Sequence, residues 1–188
     1  MNLVIFGPPG AGKGTQSGYI AKKFKLYQLS TGELLRNEIK NNTNLGKQIS
    51  STINSGNLVS NEIVSNLIEK YLSDKTYQNK IIFDGYPRTL IQAQTLNDSM
   101  IKYNQKIHIA LRLTVSLDTI IKRIKERSAL EKRDDDSEEI AIKRFETYEN
   151  STEPVIEYYK KLNLLKVVDG ERAIEQISSE ISDIIASI

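Results

Sequence analysis

The stretch LVIFGPPGAGKGTQ, residues 3–16, decides the fold of this chain. Its four leading apolar residues are typical of a buried strand, and the glycines open a stretch with helical spacing. From Gly7 to Lys13 the segment matches G-x-x-x-x-G-K, a pattern in which loop N–H groups surround phosphate oxygens. The general pattern continues with Ser or Thr, whereas here Gly14 intervenes and Thr15 comes one place later. Because strand, helix and lysine are all in place, we prefer a triphosphate site to a merely structural glycine turn.

The composition is that of one ordinary globular domain. Hydrophobic residues make up 39% of the 188, charged residues 27%, and the net charge is +2. A groove for nucleic acid would need a larger or more segregated basic excess, so we expect no such partner. The absence of cysteine excludes disulfides and thiolate metal sites, and no apolar run approaches the roughly 18 residues of a membrane span. We expect a cytoplasmic monomer with no signal peptide and no membrane partner.

Short apolar runs alternate with longer stretches of helical spacing along the chain. These runs are LVIF (3–6), YQL (27–29, the weakest), IIF (81–83), IHIALRL (107–113) and LLKVV (164–168). This alternation predicts an α/β fold with a five-stranded parallel sheet covered by helices on both faces. Ligands of such sheets bind at the carboxyl ends of the strands, where the glycine-rich segment and DGYPRT both fall.

Residues 30–73 interrupt this alternation, because they contain no clear strand and three helical patterns. Ser30 is a candidate N-cap, with Glu33 three residues later completing a capping box. The segment predicts a small helical insertion between two strands.

The second interruption is RSALEKRDDDSEE, residues 127–139, which is too polar for a core and too short for a domain. Asp136 is a candidate cap for a helix beginning near Ser137, with Glu139 completing a capping box. We interpret the segment as a charged excursion from the sheet.

The run IIFDGYPRT, residues 81–89, places an acid at the end of a buried strand. In phosphate-loop sites such a carboxylate helps to hold magnesium, so Asp84 is a candidate Mg²⁺ residue, directly or through water. Arg88 follows a proline and is expected at the same mouth. The alternatives are a turn or cap acid for Asp84 and a surface arginine for Arg88.

Four further arginines suit a site at which phosphates meet. Arg123 and Arg127 lie four residues apart on one helical face, Arg133 opens the acidic run, and Arg144 lies on the next helix. Planar guanidinium groups bind phosphate oxygens in bidentate fashion. Each arginine alone would be a solvated surface charge, but together they bracket a flap able to close over a nucleotide.

Taken in order, these segments resemble the nucleoside monophosphate kinases, most closely the adenylate kinases. The segments are GPPGAGKGTQ, STGELLR, SGNLVSNEIV, FDGYPRT, RIKER and KRDDDSEEIAIKRFETY. The resemblance covers nearly the whole chain, and GKGT is the usual form of the loop in that family. It implies a P-loop three-layer fold in a single domain, with a monophosphate-binding insertion at about 30–59 and a short lid at about 123–136. It also implies the reversible reaction MgATP + AMP = 2 ADP by direct in-line transfer.

The resemblance assigns roles residue by residue. ATP would be bound by Gly10, Ala11, Gly12, Lys13, Gly14, Thr15, Arg123, Arg127 and Gly170. AMP would be bound by Thr31, Arg36, Asn57, Leu58, Val59, Gly85, Arg88, Gln92, Arg133 and Arg144. The catalytic residues would be Lys13, Arg88, Arg123, Arg133 and Arg144, and Asp84 with Thr15 would hold Mg²⁺. Asp135 and Asp136 would position arginines, and Arg172 is a weaker match to the loop beside the ATP base.

Two points set this chain among its relatives. Only SALEK separates Arg127 from Arg133, so the lid is the short form and no zinc site is expected in it. Gln92 can donate and accept at once, which suits the edge of adenine, although a solvent-facing helix residue is its alternative role. A kinase for UMP or CMP is the nearest alternative function. A GTPase-like regulator is less suitable, because Asn79-Lys80 continues as Ile-Ile where N-K-x-D would be required.

Overall fold

The computed structural model describes the backbone of residues 1–131 and 137–188, and the side chains of that range except those of 130 and 131. The strands are β1 (Asn2–Phe6), β2 (Tyr27–Ser30), β3 (Ile81–Asp84), β4 (Ile107–Thr114) and β5 (Leu165–Asp169). The helices are α1 (Lys13–Phe24), α2 (Thr31–Lys40), α3 (Asn44–Asn54), α4 (Asn61–Ser73), α5 (Leu90–Lys102), α6 (Leu117–Glu131), α7 (Glu138–Lys161) and α8 (Ile174–Ala186). A 3₁₀ turn, Lys75–Tyr77, precedes β3.

The five strands form one parallel sheet in the order β2-β3-β1-β4-β5, as the sequence predicts. Ile5 of β1 is in register with Asp84 of β3, so the loops that follow these two strands leave the same edge side by side. The phosphate loop and DGYPRT therefore meet at the carboxyl end of the sheet, where α/β proteins bind ligands.

Side chains alternate between two buried cores, one on each face of the sheet. Val4 and Phe6 of β1 pack with residues of α4, α5 and α7, while Leu3 and Ile5 of the same strand pack with α1 and α8. All four side chains are at most 3% exposed. Both faces are thus covered at the central strands β1 and β3, which explains why these two contain continuous apolar runs.

Helices α2, α3 and α4 form the predicted helical insertion between β2 and β3. Helices α2 and α3 pack very closely at Gly46, where an added Cβ would overlap the carbonyl group of Glu38. The hydroxyl of Thr43 accepts the Gly46 N–H at 2.9 Å and caps α3. Gly46 therefore permits the two helices of the insertion to touch.

The two predicted helix caps have different outcomes. Ser30 occupies the N-cap position of α2, as predicted, but its side chain makes no capping hydrogen bond. Ser30 is also the last residue of β2, where it pairs with Asp84. The N-cap of α7 is Ser137, whose hydroxyl accepts the Ile140 N–H at 3.3 Å. The N-cap is thus not the predicted Asp136, a residue that lies outside the described part of the chain.

His108 lies within β4, and its Nδ1 accepts the Asn2 N–H at 3.1 Å.

Over the part of the chain that the structure describes, none of the helices combines the length and apolar character needed to cross a bilayer.

Candidate active site

The phosphate loop turns through glycines that adopt left-handed backbone angles. Gly10 and Gly12 have φ of +81° and +88°, a region that side chains disfavour. Gly12 is the N-cap of α1, whose first turn contains no acidic residue. The N-terminus of α1 therefore presents unopposed N–H groups and the positive end of a helix dipole, a natural anion site.

Lys13 lies at the centre of this loop. Its Nζ donates to the carbonyl oxygens of Gly7 and Pro8 at 2.7 and 2.9 Å. Burial is the largest cause that lowers the pKa of Lys13 to about 7; Asp84 acts in the opposite direction, and the charges of Arg88, Arg144 and Arg127 add to the lowering. The negative charge of a bound phosphate would therefore stabilise the protonated form of this lysine.

Asp84 ends β3 beside the loop and is 7% exposed. Its Oδ2 accepts from Nε2 of Gln28 at 3.3 Å and lies 3.7 Å from where a Cβ on Gly14 would be. A methyl group at position 14 would make only an ordinary van der Waals contact with this carboxylate, so the contact alone does not require the additional glycine. The exposed Thr15 lines the same cavity as Asp84. These oxygen donors fit Mg²⁺, a cation that prefers carboxylate, hydroxyl and water oxygens.

One cavity, here called the insertion cavity, lies between α2, α3 and the carboxyl end of the sheet. Nine of the ten residues predicted to bind AMP line it: Thr31, Arg36, Asn57, Leu58, Val59, Gly85, Arg88, Gln92 and Arg144. Arg133, the tenth, lies outside the described residues. Residues from four separate segments of sequence are thus brought to one cavity.

Gly85 organises the charged end of the insertion cavity. Its carbonyl accepts from Nε of Arg88 and from the Thr31 hydroxyl, both at 2.8 Å. Its φ is +80°, and an added Cβ would lie 2.9 Å from both side chains. Glycine is therefore required there for Arg88 and Thr31 to converge.

The side chains of Arg36 and Arg144 each pack against a glycine beside the insertion cavity. A Cβ on Gly32 would lie 3.1 Å from Nη1 of Arg36, so that guanidinium lies across α2. Likewise, a Cβ on Gly56 would lie 3.2 Å from Cγ of Arg144, which places α7 against the end of α3. Both arginines line the cavity.

Gln92 is 2% exposed, so the alternative of a solvent-facing helix residue is wrong. Its Oε1 accepts the N–H of Arg88 at 2.7 Å, and its Nε2 donates to Oδ1 of Asn61 at 3.0 Å. The amide is therefore held at both ends at the wall of the insertion cavity.

The second cavity, here the loop cavity, follows the phosphate loop. Of the residues predicted for ATP, it is lined by Gly10, Ala11, Gly12, Lys13, Gly14, Thr15, Arg123 and Arg127. Gly170 is not among its described lining residues, but its carbonyl accepts from Nη2 of Arg123 at 2.9 Å. Arg172, the weaker match, does line the cavity while pairing with Glu180.

The two cavities share one wall, here the shared wall. Its described residues are Pro9, Lys13, Gly32, Arg36, Gly85, Arg88 and Arg144. Four of these seven have basic side chains and none is acidic. Two anionic ligands, one in each cavity, would therefore meet across a strip of positive charge.

Sequence reasoning did not single out several residues of the site. The apolar part of the insertion cavity includes Leu35, Ile53 and Val64, whose helical spacing signals only burial. Gln28 supports Asp84 from the weakly predicted strand β2. Asn61 contacts Gln92, and no sequence pattern connects two amides 31 residues apart.

Comparisons with known proteins agree with this geometry. The family model for adenylate kinase matches residues 5–164. The adenylate kinase of Pelagibacter ubique (strain HTCC1062) is 42% identical, with 98% of this chain and 99% of that protein covered. That of Prochlorococcus marinus (strain MIT 9515) is 43% identical, with 96% of each covered. That of Petrotoga mobilis (strain DSM 10674 / SJ95) is 36% identical, covering 100% of this chain and 98% of that protein.

These matches extend over nearly the whole chain and include the phosphate loop, the insertion and the arginines of α6 and α7. They identify an enzyme, a nucleoside monophosphate kinase that transfers a phosphoryl group, and they favour AMP over UMP or CMP as its acceptor. The chain belongs to the adenylate kinase family.

Proposed function

We propose that the chain catalyses MgATP + AMP = 2 ADP by direct, reversible in-line transfer, with ATP in the loop cavity and AMP in the insertion cavity. The observation that carries the proposal is the shared wall of Lys13, Arg36, Arg88 and Arg144. A γ-phosphate arriving from one cavity and an α-phosphate from the other would meet there. No covalent intermediate on the protein is needed for such a transfer.

The shared wall acts by electrostatics. Phosphoryl transfer proceeds through a loose transition state whose charge is spread over several oxygens, so the protein's task is positioning and neutralisation. The carbonyl of Gly85 fixes Arg88 at 2.8 Å, which aligns its guanidinium before any substrate binds. Arg123 is similarly oriented by the Gly170 carbonyl. Preorganised cations cost no rearrangement when the charge develops.

Lys13 is the cation assigned to the β- and γ-phosphates of ATP, and the N–H groups of residues 10–15 would surround the same oxygens. Asp84 and Thr15 are the residues that would hold Mg²⁺, largely through water, and the bound ion would supply further neutralisation of the phosphate charge. Gln28 would keep the Asp84 carboxylate turned towards the loop.

The proposal assigns closure over the substrates to the insertion at about 30–59 and the short lid at about 123–136. Arg123 and Arg127 lie in the part of α6 that belongs to this lid, and Arg133 lies outside the described residues. Closure of both parts would complete the arginine cluster and exclude water, which would otherwise accept the phosphoryl group.

Gln92 and the residues Asn57, Leu58 and Val59 are the proposed contacts of the AMP base. Val59 is 7% exposed and contributes an apolar surface, while the Gln92 amide supplies a donor and an acceptor. The proposal takes a monomer as the active unit. The proposal places the reaction in the cytoplasm, with ATP, AMP and ADP as its small-molecule substrates and no nucleic acid or membrane partner.

The test is the rate of ADP formation from ATP with AMP, CMP, UMP and GMP as acceptors. We expect the highest kcat/KM with AMP. A preference for a pyrimidine monophosphate would overturn the acceptor assignment. ATP binding without ADP formation from any acceptor would overturn the catalytic proposal.

A further inference from the structure

Behind Gln92, α4 contributes a polar side chain that does not belong to the described lining of either cavity. This residue is Asn61, at the first turn of α4. Its Oδ1 accepts two hydrogen bonds, from Nε2 of Gln92 and from the hydroxyl of Thr89, both at 3.0 Å. We infer that Asn61 is a positioning residue that fixes the polarity of the Gln92 amide, and thereby selects a 6-aminopurine over a 6-oxopurine monophosphate.

The polarity of the network follows from the backbone N–H of Arg88, which can only donate. The Arg88 N–H lies 2.7 Å from one end of the Gln92 amide, so that end must be the oxygen. The amide NH₂ is then the end that faces Asn61, and it requires an acceptor there.

The Thr89 hydroxyl is compatible with this assignment. It accepts the Gln92 N–H at 3.2 Å, which caps α5, and its own proton is then available for Asn61 at 3.0 Å. With the Gln92 NH₂ facing Asn61, the atom that accepts from both Gln92 and Thr89 is Oδ1 of Asn61.

Gln92 itself cannot relax out of this arrangement, because its side chain is 2% exposed. The carbonyl of Gln92 also accepts from the buried Tyr86 hydroxyl at 3.2 Å, which holds the first turn of α5 in place. Turning the amide over would place its NH₂ against the Arg88 N–H and its oxygen against Asn61 Oδ1. Two donors and two acceptors would then face each other in a buried site, which is costly.

The fixed amide has consequences for the base that it meets. After the two bonds described, one Nε2 hydrogen and one Oε1 lone pair remain for a ligand. Adenine offers the complementary N1 acceptor and 6-amino donor. Hypoxanthine and guanine offer the reverse, an N1–H donor and a 6-oxo acceptor, and an amide that was free to turn over would accept them. This inference rests on the proposed function, since it assumes that Gln92 faces the base of the monophosphate.

The test compares AMP and IMP as acceptors, with ATP as donor, in the wild-type enzyme and in Asn61→Ala. Removing the acceptor loosens the NH₂ end of Gln92, so the ratio of kcat/KM for AMP over IMP should fall by about tenfold, the value of one hydrogen bond. The change should appear in KM for the monophosphate, while KM for ATP stays constant. Asn61→Asp, which keeps the double acceptor, should restore the ratio.

Controls separate this inference from simple instability and from the proposed function. Asn66→Ala, an exposed asparagine on the same helix, should leave the ratio unchanged. If Asn61→Ala does not fold, Asn61→Ser, whose hydroxyl is too short to reach either donor, replaces it. An unchanged ratio in a folded, active variant, or a lost ratio in Asn61→Asp, would overturn the role of Asn61 alone. A wild-type enzyme inactive with AMP would overturn the proposed function as well.

Discussion

At the scale of single residues, the site brings cations together before any anion is present. Burial and three neighbouring arginines lower the pKa of Lys13 to about 7, so the empty site does not hold that lysine as a stable cation. The protonated lysine therefore lowers the free energy of unfolding. This loss of stability is largest below about pH 7, where both the folded and the unfolded chain carry the proton. It decreases as the pH rises towards about 10.4, the ordinary pKa of lysine in the unfolded chain.

ATP binding should therefore be coupled to proton uptake at Lys13. Phosphate charge favours the protonated lysine and raises its pKa, so the affinity for ATP should fall as the pH rises above about 7. The slope should approach about tenfold per pH unit between about pH 7.5 and 9. Titration calorimetry in buffers of different ionisation enthalpy measures both quantities. A dissociation constant independent of pH over that range would contradict the coupling.

Removal of either of two cations should stop the chemistry without unfolding the chain. Lys13→Ala and Arg88→Ala should each lower kcat by about 10²–10³, as expected for the loss of one group that stabilises a transition state. The melting temperature of Lys13→Ala should not fall, because the variant lacks a basic group whose protonated form is disfavoured in the folded chain. ADP formation and thermal denaturation are the measurements, with Lys22→Ala on the exposed face of α1 as control. Near-normal turnover in either variant would contradict the assigned roles.

Single residues also show where sequence reasoning ends. The glycine pattern was sufficient to predict the phosphate loop, because few other structures require glycines and a lysine at that spacing. The burial of Gln92 was not predictable, since its helix is only weakly amphipathic and its partner Asn61 lies on another helix. Ser30 occupies the N-cap position that its residue type favours, but the sequence did not show that it also ends β2 and makes no capping hydrogen bond.

At the scale of elements, the insertion depends on the close contact of α2 and α3. Gly46→Ala would place a methyl group against the backbone of Glu38, which cannot move aside as a flexible side chain could. We expect a loss of about 1–3 kcal/mol in the free energy of unfolding, the usual cost of overpacking. Since α2 carries Thr31 and Arg36, KM for AMP should rise more than KM for ATP.

Chemical denaturation and initial-rate kinetics test this prediction. The matched control is Gly18→Ala on α1, where the added Cβ would meet only the end of the Gln28 side chain, at 3.8 Å. That variant should be stabilised by about 0.5–1 kcal/mol, because alanine is the better helix former. Equal effects of Gly46→Ala on both KM values would indicate that the insertion does not serve AMP in particular.

The central strands β1 and β3 were predictable to within about one or two residues because both faces of the sheet are buried there, which gives them continuous apolar runs. The weakest prediction, YQL, is the edge strand β2, whose Tyr27 is 37% exposed. An edge strand lacks the second buried neighbour that produces a clear signal. The insertion was recognisable by its lack of strands, but the packing of its helices at Gly46 was not.

At the scale of the whole molecule, the parallel sheet brings distant segments of the chain to one edge. Residues 7–15 and 84–92 follow adjacent strands, and α7 returns across the end of the insertion with Arg144. This arrangement places two cavities on either side of one cationic wall. The central claim is that the phosphoryl group passes between ATP and AMP beside the basic side chains that line both cavities.

The most direct test is a crystal structure with a two-headed ligand in which ATP and AMP are joined through their phosphates. We predict one adenosine in the insertion cavity against Gln92 and the other in the loop cavity near residues 123–127. The joining phosphates should lie within about 3.2 Å of donors on Lys13, Arg88 and Arg144. An AMP moiety bound outside the insertion cavity, or joining phosphates that do not contact these three residues, would contradict the account.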